Sequence, residues 1–220
     1  MTIDAGNDKV EVTLDNVNIK AGSGSALTSK GDVTLTLKGD NHLTGGISDT
    51  GNYGRNGIAS TGSLTITGGE NGSLTAQGGS GADGGHGGHG IYSNGSLTIS
   101  GGSTVTANGG NGGNVSGDGI SSNGSVTISG GTVTANGGDG SSGGDGIRSS
   151  DIDLSGSLEL TAKAGSPNGK ALSQRGNELD LDDIKDKLGP GAKVTATDAN
   201  GETKQVSIPR PVEPEGPVIP

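Results

Sequence analysis

The chain has 220 residues, of which 48 are glycine and none is cysteine, tryptophan or phenylalanine, and its formal net charge is −10. This composition excludes a core built on large aromatic side chains, and it excludes collagen because the glycines follow no strict triplet period. The negative charge argues against nucleic acid and anionic lipid as partners, and no run reaches the roughly 20 apolar residues that membrane insertion requires.

The N-terminal segment predicts the first layer of a stacked structure. Residues 10–19, VEVTLDNVNI, alternate apolar and polar side chains with the two-residue period of a half-buried strand. We therefore predict a single domain over residues 1–208, in which residues 1–25 form an N-terminal rung or cap.

Residues 26–170 consist of a degenerate repeat. Its copies are marked by anchor aliphatic residues at steps of 31, 33, 29, 27 and 25, namely Leu27, Ile58, Ile91, Ile120, Ile147 and Leu172. Each copy holds three short segments in which aliphatic residues alternate with Ser or Thr, and Gly-Gly or Asn-Gly pairs separate the segments. This pattern predicts an all-β fold, a single-stranded parallel β-helix (β-solenoid) of about six to seven rungs.

Stacking brings residues one repeat apart to about 4.8 Å from each other, as vertical neighbours. Three inner columns of aliphatic side chains are then expected. They are Leu64, Leu97, Val126 and Ile152; Ile66, Ile99, Ile128 and Leu154; and Leu74, Val105, Val133 and Leu160. A narrow shaft accepts such side chains more readily than large rings, which accounts for the missing phenylalanine and tryptophan.

The C-terminal part departs from the repeat. We predict that residues 171–208 form the last rung and contain a short helical insert. Leu181, Ile184 and Leu188 recur there at helical spacing, and the helix is expected to cover the open end of the shaft. KVTATD is expected to be the final strand, and residues 209–220 a Pro-rich linker to a further domain of a larger protein.

Glycine-rich loops follow the third strand of each copy and should therefore line up along one edge. The loops begin at Ile47, Ser80, Asn111 and Asp139. They bury almost no apolar surface to offset the entropy of ordering them, so either they are mobile or something other than hydrophobic burial holds them. The segment GGSGAD at 78–83 matches half of a calcium-binding nonapeptide repeat, and glycine carbonyls with Asp or Asn oxygens suit Ca²⁺.

The candidate calcium ligands are Asp83, Asn114, Asp118, Asp139 and Asp145. Asp118 and Asp145 each lie two residues before an anchor aliphatic, in one predicted column with Asn56 and His89. Stacked carboxylates repel one another unless one is protonated or a cation lies between them, although both side chains could instead splay into water. His86 and His89 suggest zinc only weakly, because neither a cysteine nor a third histidine lies near them.

Candidate ligand-binding residues lie at or beside the same corner. The only two tyrosines, Tyr53 and Tyr92, fall on adjacent rungs, where their rings could stack on a sugar or simply pack over the corner. Arg148, between Asp145 and Asp151, comes closest to the cationic base and acidic calcium site of a polysaccharide lyase, but an arginine that balances local carboxylates is the more ordinary interpretation.

The phrase VTLTLKGDNHLTGG, preceded by VEVTLDNVNIKAGSGSAL and followed by units such as GSLTITGG, resembles the secreted carbohydrate-binding β-helix family of anaerobic bacteria. That family belongs to the pectate-lyase-like superfamily and includes a cellulose-binding surface protein. The resemblance covers roughly residues 8–170. It implies a right-handed parallel β-helix, extracellular display, calcium ions in the loops and polysaccharide binding.

Several functions are open at this point. A non-catalytic adhesion module on the bacterial cell surface, binding polysaccharide or a host or cell-wall glycan, is the leading hypothesis. The alternative is a structural stalk or spacer that positions another domain. A polysaccharide lyase and an ice-binding protein are weaker hypotheses; the outward Thr columns suggest the latter, yet Thr is common on any exposed strand.

Overall fold

The structure is a computed structural model, and it describes residues 1–214 and 216. Parallel strands stack rung upon rung into a β-solenoid of about six turns, which confirms the predicted architecture. The predicted Pro-rich linker at 209–220 lies partly outside the described residues, which omit positions 215 and 217–220. Within the described part of the chain, no helix has the length and hydropathy for a membrane crossing.

Twenty strands and one short helix make up the described chain. The strands are β1 (Thr2–Asp15), β2 (Asn18–Lys20), β3 (Leu27–Thr44), β4 (Ile58–Ser60), β5 (Leu64–Gln77), β6 (Ile91–Ser93), β7 (Leu97–Ile99), β8 (Thr104–Asn108), β9 (Gly112–Val115), β10 (Ile120–Ser122), β11 (Ser125–Ile128), β12 (Thr132–Asn136), β13 (Gly140–Ser142), β14 (Ile147–Ser149), β15 (Asp151–Leu154), β16 (Glu159–Lys163), β17 (Leu172–Gln174), β18 (Asn177–Glu178), β19 (Lys193–Thr197) and β20 (Thr203–Ser207). A 3-10 helix, Leu181–Lys187, precedes β19.

Residues one repeat apart are vertical neighbours throughout the stack. The anchor aliphatics pair in register from Leu27 to Leu172. The three predicted inner columns also pair residue by residue, and their side chains are buried. Because burying each such side chain contributes roughly 1.5–3 kcal/mol, these columns form the core that holds the rungs together.

One buried amide interrupts the third column. Asn41 pairs with Leu74 in register and is fully buried. Its Oδ1 accepts a hydrogen bond from the Val17 N–H at 2.8 Å, and its Nδ2 donates to the Ser73 carbonyl at 3.0 Å. The side chain thus ties the first rung to the third, a role that nothing in the repeat pattern predicts.

Hydroxyl-bearing side chains form registered columns on the outer face of the third strands. Thr104 pairs with Thr132 and Thr106 with Thr134. Glu159 follows Thr132 in the first of these columns. The predicted Thr columns therefore exist, while ice binding itself stays a prediction.

The C-terminal end corrects one prediction. Leu181 and Ile184 of the 3-10 helix are buried as expected, and Asp180 caps the helix by accepting a hydrogen bond from the Asp182 N–H. KVTATD does form β19, but it is not the final strand, because β20 folds back antiparallel onto it. The hairpin was signalled by an Asn-Gly turn, in which Gly201 has φ +85°.

The glycine loops stack along one edge, as the alignment of the inserts predicts. Each loop has an outgoing segment that leaves the third strand and a returning segment that leads to the next anchor strand. We call the stacked loops the glycine edge; they span residues 45–57, 78–90, 109–119 and 137–146. Strands β9 and β13 pair within it, and isolated bridges join Ile47 to Gly54 and His86 to Val115.

Backbone hydrogen bonds hold the glycine edge together by crossing between outgoing and returning segments. The Gly88 N–H donates to the Gly79 carbonyl at 2.9 Å, the Gly110 N–H to the Gly88 carbonyl at 2.7 Å, and the Gly117 N–H to the Gly110 carbonyl at 2.9 Å. Hydrogen bonds of the same kind, alternating between outgoing and returning segments, continue to Gly138 and beyond. Peptide groups therefore supply the cohesion that apolar side chains cannot, and a bound cation is not needed to explain the order of the edge.

Candidate functional site

A groove of 520 Å³ opens where the returning segments of the first two loops meet the anchor strands β4 and β6. Tyr53, His86 and Tyr92 lie along it, and Gly87 and Gly88 form part of its floor. Both tyrosines that the sequence predicted as ligand-binding residues are thus brought to one place. Aromatic walls over a polar backbone floor are the usual composition of a small-molecule or sugar site.

Two ring pairs shape the walls. Tyr53 and His86 have ring centroids 5.4 Å apart at an interplanar angle of 31°, and His89 stacks on Tyr92 at 5.8 Å and 21°. Tyr53 is 48% exposed, so a large part of its ring is available to a ligand. The first pair joins two neighbouring loops, whereas the second lies within one rung, between a returning segment and β6.

Strand register explains why the Tyr92 ring is accessible. Its neighbours above and below in the sheet are Ala59 and Ser121, both small. Tyr53 is held from its own loop: its N–H donates to Ser48 Oγ at 3.0 Å, and its carbonyl accepts from the Ser48 N–H at 2.7 Å. The Tyr92 hydroxyl accepts a hydrogen bond from Asn123 Nδ2 at 2.9 Å. Both tyrosines are thus held in place, and each ring has a histidine on one side only among the aromatic residues.

The charge in the groove differs from that of the whole chain. Arg55 lines the groove, and none of its lining residues is Asp or Glu. Burial, with a smaller contribution from Arg148, lowers the pKa of His89 to about 4, so this imidazole is neutral at pH 7. In a chain of net charge −10, the groove thus carries an arginine and no carboxylate.

A side-chain relay runs up the solenoid behind the groove, in the column predicted two residues before each anchor aliphatic. Asn56 Oδ1 accepts from the His89 N–H at 2.8 Å, and His89 Nδ1 accepts from the Asp118 N–H at 2.9 Å. Asp118 Oδ1 accepts from the Asp145 N–H at 2.8 Å, and Asp145 Oδ1 accepts from the Lys170 N–H at 2.7 Å. We call these four side chains the relay; each one fixes the backbone of the next rung.

Arg148 pairs with Asp118 of the relay and does not line the groove. It lies in the same column as Tyr92, two rungs farther on, with Ser121 between them. Its Nη2 is 2.9 Å from Asp118 Oδ2, an ion pair without hydrogen-bond geometry, and the Asp118 side chain is only 4% exposed. Burial raises the pKa of Asp118 while Arg148 opposes that rise. The predicted ligand-binding role of Arg148 thus stays a prediction, and the balancing of a local carboxylate is what its contact indicates.

The five predicted calcium ligands do not form one ligand set. Asp118 and Asp145 each accept a backbone N–H with one carboxylate oxygen, and the Arg148 guanidinium forms an ion pair with Asp118. Asp139 Oδ1 accepts from the Ser166 N–H at 2.8 Å, whereas Asp83 is exposed in a turn and Asn114 is exposed in β9. Across residues 1–214 and 216, no group of three or more His, Cys, Asp or Glu side chains has an arrangement that could hold a metal ion. The predicted ligands are therefore not brought together as one carboxylate cluster, and calcium binding by the loops stays a prediction.

We expect the thermal midpoint of the protein to be the same in excess calcium and in excess chelator. Backbone hydrogen bonds to Asp118 and Asp145, and the ion pair of Asp118 with Arg148, already offset the repulsion that calcium was expected to relieve. The comparison is made by differential scanning calorimetry at constant ionic strength. A site present only in the folded state and filled at a hundred times its dissociation constant adds about 2.7 kcal/mol. A higher midpoint in calcium, corresponding to a stabilisation of that size, would show that the folded chain binds the ion.

Sequence reasoning missed Arg55 and His89 as groove residues. It placed His89 in the relay column, but it had no means of finding the ring stack on Tyr92, since that depends on how the returning segment turns. The chain matches no protein-family model, no curated protein and no solved structure. The family resemblance and the extracellular location accordingly stay predictions.

Proposed function

We propose that the chain is a non-catalytic carbohydrate-binding module, displayed on a bacterial cell surface, that takes a polysaccharide or a host or cell-wall glycan into the groove between Tyr53 and Tyr92. The observation that carries the proposal is the convergence of both tyrosines and two of the three histidines of the chain on one groove. Aromatic faces bind the apolar side of a pyranose ring, and Arg55 with the glycine peptide groups can hydrogen-bond its hydroxyls.

The composition of the groove favours binding over hydrolysis. Glycoside hydrolysis ordinarily uses a pair of carboxylates on either side of the scissile bond, and none of the residues that line the groove carries one. The arginine closest to the lyase pattern, Arg148, is engaged by Asp118. A ligand in the groove would therefore meet stacking surfaces and hydrogen-bonding groups without an acid–base pair.

We expect Tyr53→Ala and Tyr92→Ala each to weaken glycan binding about tenfold, which corresponds to about 1.4 kcal/mol for the loss of one stacking ring. A glycan array and pull-downs with insoluble polysaccharides identify the ligand, and isothermal titration calorimetry measures the variants against it. Thr106→Ala, on the outer face of the third strands, serves as the control and should bind like the parent chain.

Two outcomes would count against this function. If no polysaccharide or glycan in the panel binds the parent chain, the structural stalk becomes the better account. If a glycan binds but both tyrosine variants bind it with parental affinity while remaining folded, the binding surface lies elsewhere on the solenoid.

A further inference from the structure

The relay does not require a histidine. Asn56, Asp118 and Asp145 hold the same column position and each accepts a backbone N–H at 2.7–2.8 Å with a short side chain. His89 does the same with Nδ1 at 2.9 Å. An asparagine or aspartate at position 89 would therefore satisfy the Asp118 N–H, and the imidazole must be explained by something else.

The imidazole differs from those side chains in what it presents to the groove. Its ring lines the groove and stacks on Tyr92. Because Nδ1 accepts a hydrogen bond, the neutral ring carries its proton on Nε2. No side chain or backbone group in the described residues bonds to Nε2, and Nε2 is not among the buried unpaired atoms. The unbonded Nε2 is therefore accessible to solvent, and since His89 lines the groove we place this N–H at its surface.

We propose that His89 is a ligand-contacting residue, whose Nε2–H donates a hydrogen bond to a hydroxyl or ring oxygen of the sugar that lies against Tyr92. The relay fixes this tautomer from behind: the Asp118 N–H can pair only with an unprotonated Nδ1, and Asp118 is itself held by Arg148. The stack with Tyr92 then sets the angle between the donor and the aromatic platform. This inference rests on the proposed function and adds to it a defined polar contact.

The test is His89→Asn compared with the parent chain. Asparagine keeps an acceptor for the Asp118 N–H, as Asn56 demonstrates one rung below, but it removes the ring and the Nε2–H donor. We expect an unchanged thermal midpoint together with about tenfold weaker binding of the glycan found with the panel. Thr106→Ala is again the control: it lies on the outer face of the third strands, away from His89, and it should leave glycan binding unchanged.

A second readout does not depend on the variant. The ¹⁵N chemical shifts of the His89 ring at pH 7 should report the Nε2–H tautomer, and Nε2 should shift on addition of the glycan while Nδ1 stays near its starting value. If His89→Asn fails to fold, this measurement on the parent chain decides the question.

The outcomes separate the two proposals. Parental affinity in His89→Asn, or an Nε2 that is unmoved by bound glycan, overturns the role of His89 and leaves the carbohydrate-binding function standing. Failure of the parent chain to bind any glycan overturns both.

Discussion

Replacing Gly117 with alanine should lower the free energy of unfolding by about 3 kcal/mol, the upper part of the range for overpacking a close-packed site. Gly117 lies in a returning segment of the glycine edge, where its N–H donates to the Gly110 carbonyl. A Cβ at this position would overlap the Gly88 carbonyl of the rung below. Because that carbonyl is itself bonded to the Gly110 N–H, neither segment can move without loss of a hydrogen bond.

The matched control is Gly69→Ala in β5. A Cβ there meets nothing within 4 Å, and Gly69 has no positive φ to be strained by a side chain. Chemical denaturation of both variants gives the comparison, and we expect a change below about 0.5 kcal/mol for the control. Equal stabilities of the two variants would mean that the glycine edge is not packed as described.

Arg148→Ala should cost about 3 kcal/mol at pH 7, because it leaves a buried Asp118 carboxylate without its cation. The figure is taken from the lower end of the range for broken buried pairs, since 54% of the Arg148 side chain is exposed to water. The sign of the pH dependence follows from burial, which raises the pKa of Asp118 in the folded chain. Without Arg148 that pKa should rise further, so the penalty is present at neutral pH and is relieved as the pH falls through the folded-state pKa.

A double-mutant cycle isolates this pair. Asp118→Asn keeps an acceptor for the Asp145 N–H but removes the charge, so adding Arg148→Ala to it should cost much less than Arg148→Ala alone. Additive free energies of unfolding in the cycle, or a penalty in Arg148→Ala that does not shrink towards acid pH, would show that Arg148 acts through packing and not through Asp118.

The periodic parts of the molecule could be predicted because a solenoid converts sequence spacing directly into vertical neighbours. The aliphatic columns, the alignment of the loops and the column that contains Asp118 and Asp145 all follow from counting residues between anchors. The same counting brought Tyr53 and Tyr92 to adjacent rungs. These predictions needed only the repeat and the two-residue period of a strand.

What the loops do could not be predicted in the same way. Glycine carries no side-chain pattern, so the bonding of Gly88 to Gly79 and Gly110 leaves no trace in the sequence beyond glycine itself. The repulsion between Asp118 and Asp145 was recognised, and a cation, a protonated carboxylate or side chains turned into water were the solutions considered. In the structure Arg148 pairs with Asp118 and backbone N–H groups bond to both carboxylates, and an arginine about 30 residues away along the chain is adjacent only after the rungs stack.

The glycine edge also links stability to the proposed function. The floor of the groove is made of the same returning segment whose Gly88 N–H bonds to Gly79, and His89 of the relay is the next residue in that segment. A ligand in the groove would therefore lie on backbone that is fixed on the far side by the neighbouring loop. Such preorganisation lowers the entropy that a binding surface loses when it meets its ligand.

The most direct test of this account is a ¹H–¹⁵N titration of the labelled chain with the glycan that the panel identifies. The account predicts that the largest amide shifts fall at Gly87, Gly88, His89 and Tyr92, with none at Thr106 or Thr134 on the outer face of the third strands. Shifts centred on those threonines, with the groove amides unmoved, would contradict it.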